Sequence, residues 1–188
     1  MLVYLHGFNS SPQSHKAQVL GCYLSGLGLA DRYACPALPP LARDAVAVVE
    51  ALLARTGPDV CFVGSSLGGF YATYFAERQG AKAVLINPAI DPHIGLGAYL
   101  GPQKNLHTGE PYELTEAHLS DWATLWEPRI SPERYLLIVE TGDEVLDYRR
   151  ALERYAGAQQ VVVPGGDHSL RSFEDHLPRI LRFAGLAR

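Results

Sequence analysis

The sequence predicts an α/β fold: a parallel sheet of about six strands with helices on both faces. Three observations predict it. Strand-like and helix-like patterns alternate along the 188 residues, as they do when crossover helices connect parallel strands. The run Gly64-Ser65-Ser66-Leu67-Gly68 stands between an apolar strand pattern and a helical one. The loop around Phe8, Ser66, Asp143 and His168 each follow a different predicted strand, and sites in open α/β sheets gather outside the strands' carboxyl ends. An accidental set of polar residues would scatter over both ends.

Taken in order, Leu2-Val3-Tyr4-Leu5 is a short apolar run and predicts a first strand over 2–5, leading into His6-Gly7-Phe8-Asn9-Ser10-Ser11-Pro12. Helical spacing follows over 14–25, then a strand near 33–35 and a helix over 43–55. Asp59-Val60-Cys61-Phe62-Val63 predicts a buried strand over 59–63, because continuous apolar runs mark strands covered on both faces. A helix over 68–79 comes next, with Gly80 where a helix C-cap wants glycine. Strands are expected over 82–86, 135–140 and 160–163, and helices over 147–156, closed by Gly157, and 172–184. At this length a single domain over 1–188 is expected.

The stretch from Asn87 to Pro132 interrupts the alternation. It is rich in Pro, Gly and His, and a structureless insertion of that length is unusual in a compact domain. Residues 87–132 are therefore read as a small cap over the site, with a short helix within Leu114 to Trp126. Tyr99, Leu100, Tyr112, Leu119, Trp122 and Trp126 would supply its apolar surface, although packing onto the body suits Trp122 and Trp126, four residues apart, better.

Gly-x-Ser-x-Gly between a strand and a helix is the pattern of a nucleophile elbow, a turn so tight that small residues must lie two before and two after the serine. Gly64 and Gly68 fill those places around Ser66. Around Ser65 the same places hold Val63 and Leu67. Ser66 is thus the candidate nucleophile.

A serine hydroxyl needs a base within hydrogen-bond reach, usually a histidine supported by a carboxylate. His168 follows the Pro164-Gly165-Gly166 turn at the end of a strand and is the histidine that combines this place with the chain order serine, acid, histidine. Asp143 lies after Gly142 at the end of the preceding strand and is the candidate acid. Asp147 opens a helical pattern and suits an N-cap; Glu144 is the third choice. Asp167 is set aside because neighbouring side chains on a turn diverge. An oxyanion needs backbone N–H groups aimed at the developing charge. Leu67, directly after the nucleophile, and Phe8, directly after His6-Gly7, are the candidate donors, with the His6 ring orienting the loop.

The blocks His6 to Pro12, Gly64 to Gly69, Leu85-Ile86-Asn87-Pro88-Ala89, Thr108-Gly109-Glu110, Thr141 to Tyr148 and Gly165-Gly166-Asp167-His168 together resemble the YqiA-like esterases, small α/β-hydrolases that lack the first strands of the larger fold. The resemblance covers essentially the whole chain. It implies a minimal α/β-hydrolase fold and a Ser–Asp–His hydrolase of esters or thioesters, without supplying the natural substrate. Asp167 departs from the neutral residue such proteins often carry beside the histidine, which bears on the local field at His168.

Composition narrows the alternatives. The formal net charge is −4, so there is no basic footprint for nucleic acid and no polybasic membrane patch. No apolar run approaches the length of a membrane span. Cys22, Cys35 and Cys61 are scattered, without metal-site spacing, which fits a reduced, cytoplasmic setting; Met1 leads straight into a strand, without a signal-peptide layout. No metal or cofactor is expected, the expected partner is a small-molecule acyl ester or thioester, and no motif speaks to an oligomeric state. The same residues would also serve an amidase, peptidase or perhydrolase, and the fold would also serve a non-catalytic binding module.

Overall fold

The computed structural model describes residues 1–187. The strands in chain order are β1 (Leu2–Leu5), β2 (Tyr33–Ala34), β3 (Cys61–Ser65), β4 (Lys82–Ile86), β5 (Gly101–Lys104), β6 (Pro111–Leu114), β7 (Tyr135–Glu140) and β8 (Gln159–Val163). The α-helices are α1 (His15–Gly26), α2 (Ala42–Thr56), α3 (Leu67–Gln79), α4 (Pro92–Gly95), α5 (Glu116–Thr124), α6 (Tyr148–Arg154) and α7 (Leu177–Phe183). One six-stranded sheet has the order β2-β1-β3-β4-β7-β8, with every pair parallel. The strands β5 and β6 form a separate antiparallel hairpin.

Strand periodicity sorts the core into two layers. Leu2 and Tyr4 face one side of the sheet, where they pack with α1 through Ala17, Leu20 and Leu24 and with α7 through Leu177, Ile180 and Leu181. Val3 and Leu5 face the other side, against α2, α3 and α6. The helix α3 is buried on every face over residues 67–76, as expected of a helix apolar all round. The sheet covers one side of it and α5 the other: the wholly buried Trp122 donates from Nε1 to the Tyr71 hydroxyl at 2.7 Å.

Two elements run differently from the sequence expectation. The strand expected over 59–63 runs instead from Cys61 to Ser65, in register Cys61↔Lys82 to Ser65↔Ile86. Neighbour pairing, rather than the weak strand preference of Gly64 and Ser65, sets its end. The helix expected over 172–184 begins as a 3-10 turn, Phe173–His176, and becomes α-helical only at Leu177, with Pro178 in the first turn. There proline's missing N–H costs nothing.

The stretch over 87–132 is more divided than a cap. Residues 90–99, which include α4 and a 3-10 turn over Leu96–Tyr99, stand beside the carboxyl ends of the strands. The hairpin β5–β6 was not foreseen, since Gly101-Pro102-Gln103-Lys104 carries no strand pattern. Its turn is made by Asn105, whose side-chain oxygen accepts from the N–H groups of His107 and Thr108 at 2.9 and 3.0 Å. Of the residues read as cap surface, Trp122 and Leu119 are buried in the core, and Trp126 packs on the body under the Arg154 guanidinium.

Candidate active site

The elbow begins with the close approach of β3, α3 and β1. A Cβ on Gly64 would overlap the Gly68 carbonyl oxygen, and a Cβ on Gly68 would overlap that of Leu5. Only glycine leaves room at either place. Between them Ser66 takes φ 55° and ψ −121°, a left-handed conformation that non-glycine residues occupy only under the constraint of their surroundings. Its backbone is held by the Ser66 N–H donating to Ile86 O, and by Ala89 N–H donating to Ser66 O, both at 3.0 Å. Ser65, by contrast, is buried as the last residue of β3.

His168 reaches Ser66 from the loop after β8. Its Nε2 is 3.0 Å from Ser66 Oγ, and its Nδ1 is 2.8 Å and 3.0 Å from the two Asp143 carboxylate oxygens. The Asp143 side chain is 1% exposed, that of His168 22%. Burial alone would push the Asp143 carboxyl up. The His168 ring and the N–H groups of Leu146 and Val145, which donate to Oδ1 at 2.8 and 2.9 Å, outweigh burial and hold it below the usual carboxylate range. An ionised Asp143 selects the imidazole tautomer with its proton on Nδ1, leaving Nε2 free to accept from Ser66.

The other acids considered go elsewhere. Asp147 caps α6, accepting from Arg149 N–H at 3.0 Å. Glu144 accepts the backbone N–H of His168, also at 3.0 Å, so it touches the histidine's main chain and not its ring. Asp167 turns away to Arg171, at 2.6 Å, and to Ser169 N–H, and this pairing offsets its charge near His168.

The N–H groups of Phe8 and Leu67 have no protein acceptor among the described residues. Leu67 opens α3, where unpaired N–H groups and the helix dipole favour negative charge. The Phe8 loop is fixed from two sides. The buried His6 ring accepts Leu38 N–H at Nε2 (2.9 Å), which puts its own proton on Nδ1, 3.1 Å from Gly7 O. Burial, and then the charge of His107, hold His6 below its ordinary value, against the Gly7 bond. From the other side the hairpin grips Asn9, itself at φ 54°: Tyr112 donates its hydroxyl proton to Asn9 Oδ1 at 2.7 Å, and Asn105 Nδ2 donates to Ser10 O at 2.9 Å.

A cleft of about 270 Å³ opens in front of Ser66 and His168. Phe8, Ile90, Leu96, Tyr99, Val145 and Leu146 make its walls apolar, with Asp91 and Arg150 paired at its margin. Among the described residues no group of three His, Cys, Asp or Glu side chains is placed to hold a metal ion, and no helix is long and apolar enough to cross a membrane.

Sequence reasoning missed two residues of this region. Asn87, at φ 38° after β4, donates from Nδ2 to the carbonyls of Asp167 and His168 at 3.1 and 3.2 Å. Its Oδ1 accepts Glu140 N–H at 3.0 Å. Glu140, the last residue of β7, is 1% exposed. The one sequence signal for either was a polar residue closing an apolar strand.

Comparison with known proteins bears on the whole chain. A family model described as "Uncharacterised protein family (UPF0227)" matches residues 1–185. A UPF0227 protein of Pectobacterium carotovorum is 24% identical over 99% of both chains. Among solved structures, alpha/beta hydrolase domain-containing protein 10 from mouse is similar with a TM-score of 0.71 and 16% identity, over 96% of this chain and 87% of that one. Est1E from Butyrivibrio proteoclasticus, solved with ferulic acid bound, gives a TM-score of 0.65 and 14% identity, over 97% and 86%. At these identities the structural likeness establishes the α/β-hydrolase fold.

Proposed function

The chain belongs to the UPF0227 family, and on that premise we propose that it is a serine hydrolase of carboxylic esters or thioesters, built as one domain. The observation that carries the reading is the continuous hydrogen-bonded line from Ser66 Oγ through the His168 ring to the ionised, buried Asp143. The α/β-hydrolase fold and the esterases among its structural relatives support it.

In this reading His168 Nε2 takes the Ser66 proton as Oγ attacks the acyl carbonyl carbon. The oxyanion forms against the Phe8 and Leu67 N–H groups. Asp143 stabilises the imidazolium that results. The imidazolium then returns its proton to the departing alkoxide or thiolate, leaving an acyl ester on Ser66. Water, deprotonated by Nε2, attacks that ester and releases the acid and free Ser66. None of these steps calls on a metal or cofactor. The apolar cleft suits an uncharged acyl or aryl group, and the three unpaired thiols suit the cytoplasm.

The test has two arms. A fluorophosphonate should label wild-type protein and fail to label Ser66→Ala. A panel of acyl esters, acyl-CoA thioesters, amides and, because Est1E binds ferulic acid, a feruloyl ester then identifies the substrate class. Absence of both labelling and turnover across the panel would remove the reading.

A further inference from the structure

We propose that Glu140 is a positioning residue that holds the base loop, and so sets the His168 ring against Ser66; the proposal rests on the serine-hydrolase reading above. Glu140 ends β7, three residues before Asp143, and its carboxylate is almost wholly buried. It accepts four hydrogen bonds, all from the segment that carries His168. Oε2 accepts the N–H of Asp167 at 2.8 Å and of Arg171 at 3.0 Å. Oε1 accepts the N–H of Ser172 at 2.9 Å and its hydroxyl at 2.7 Å.

These donors flank His168 on both sides, so the loop is wrapped around one carboxylate. Gly166, at φ 73°, lies against that carboxylate so closely that a Cβ would overlap it. Asn87 completes the clamp, since it holds Glu140 N–H on one side and the Asp167 and His168 carbonyls on the other. A buried carboxylate without partners is costly. Here every lone-pair direction is used, and burial, which pushes the carboxyl up, is outweighed by the Ser172, Asp167 and Arg171 donors. The four bonds are therefore as exacting in geometry as they are in charge.

An amide cannot reproduce this. In Glu140→Gln one end of the side chain still accepts, while the NH2 group confronts a backbone N–H. The loop must shift, and a shift of about 1 Å at a reacting group can cost about 10²-fold in rate.

The experiment compares wild type, Glu140→Gln and Ser172→Ala on a small soluble ester, following kcat, KM and the rate of fluorophosphonate labelling. The proton NMR spectrum supplies the downfield Nδ1–H resonance of His168, identified by its loss in His168→Ala. Expected is a kcat lowered roughly 10- to 100-fold in Glu140→Gln and less in Ser172→Ala. KM should stay within about twofold, labelling should slow in parallel, and the Nδ1–H resonance should shift or broaden. A residue needed only for folding would lower the unfolding midpoint and leave kcat per folded molecule unchanged. That outcome, or an unchanged resonance with unchanged labelling, overturns the inference. Ser172→Ala removes one of the four bonds to Glu140, along with the hydroxyl's contact to His176 Nε2 at 3.1 Å, and decides the matter if Glu140→Gln does not fold. If wild-type protein itself takes no label, the hydrolase reading has failed, which is a separate result.

Discussion

Ser66 Oγ and His168 Nε2 lie 3.0 Å apart although 102 positions separate the two residues in the chain. The contact exists because β3 and β8 are parallel strands of one sheet, with β4 and β7 between them. Their following loops therefore emerge on the same edge.

Ser66→Ala is expected to remove esterase activity, with a loss of about 10⁶-fold in turnover, while leaving the unfolding midpoint near wild type. Ser65→Ala should keep activity, because Ser65 is buried in β3 with its side chain away from the cleft. Turnover of a chromogenic ester by the two variants checks this; an inactive Ser65→Ala beside an active Ser66→Ala would reverse the assignment.

Asp143→Asn should lower turnover by roughly 10⁴-fold, since the amide no longer selects the Nδ1-protonated ring or supports its charge. Asp147→Asn should retain most activity, because asparagine caps a helix about as well as aspartate. Steady-state rates for the pair decide between them, and equal losses would mean that the loop, rather than the acid, is being measured.

Acid should destabilise the fold in a window set by Asp143, Glu140 and Glu77. In each, burial pushes the carboxyl up and hydrogen bonds outweigh it, so each is held below its ordinary value. A group depressed in the folded state contributes fully above its unfolded value, about 4, and loses that contribution as pH falls through the lower folded value. Glu77 is the clean test, being remote from the cleft. Its carboxylate accepts from the Tyr135 hydroxyl at 2.6 Å, and from Ser131 and Arg134. Urea unfolding should find Glu77→Gln weaker than wild type at neutral pH and less sensitive to acid. Parallel profiles for the two proteins would show that Glu77 does not contribute.

The cleft wall over residues 90–99 should set acyl-chain preference. Removing the whole 87–132 segment is a poor test, since Trp122 and Leu114 belong to the core. Point substitutions are better. Leu96→Trp should favour acetyl over long-chain esters, and Tyr99→Ala the reverse. Each methylene accommodated or refused is worth about 1–3 kcal/mol. Both variants should still take a small fluorophosphonate at Ser66. An unchanged ratio of kcat/KM across chain lengths would mean that this wall does not contact the acyl group.

The sequence by itself determined what depends on near neighbours. Buried parallel strands read as apolar runs, so the order of strands and helices was legible. The elbow was legible because its requirement, a small residue on each side of Ser66, is met within five positions. Asp143 and His168 were legible as polar residues after glycine turns at strand ends. Only the tertiary structure decided what depends on distant partners. The hairpin β5–β6 has no strand pattern of its own; its place comes from Asn105 and Tyr112 bonding to Ser10 and Asn9, about a hundred residues away. Packing was the better expectation for Trp122, but the spacing did not name its partner, the Tyr71 hydroxyl that accepts its N–H. Glu140 and Asn87 look ordinary in the chain, because a carboxylate or amide reveals its role only through the donors folded around it. Burial in three dimensions gives those hydrogen bonds their strength, and linear spacing carries no record of it.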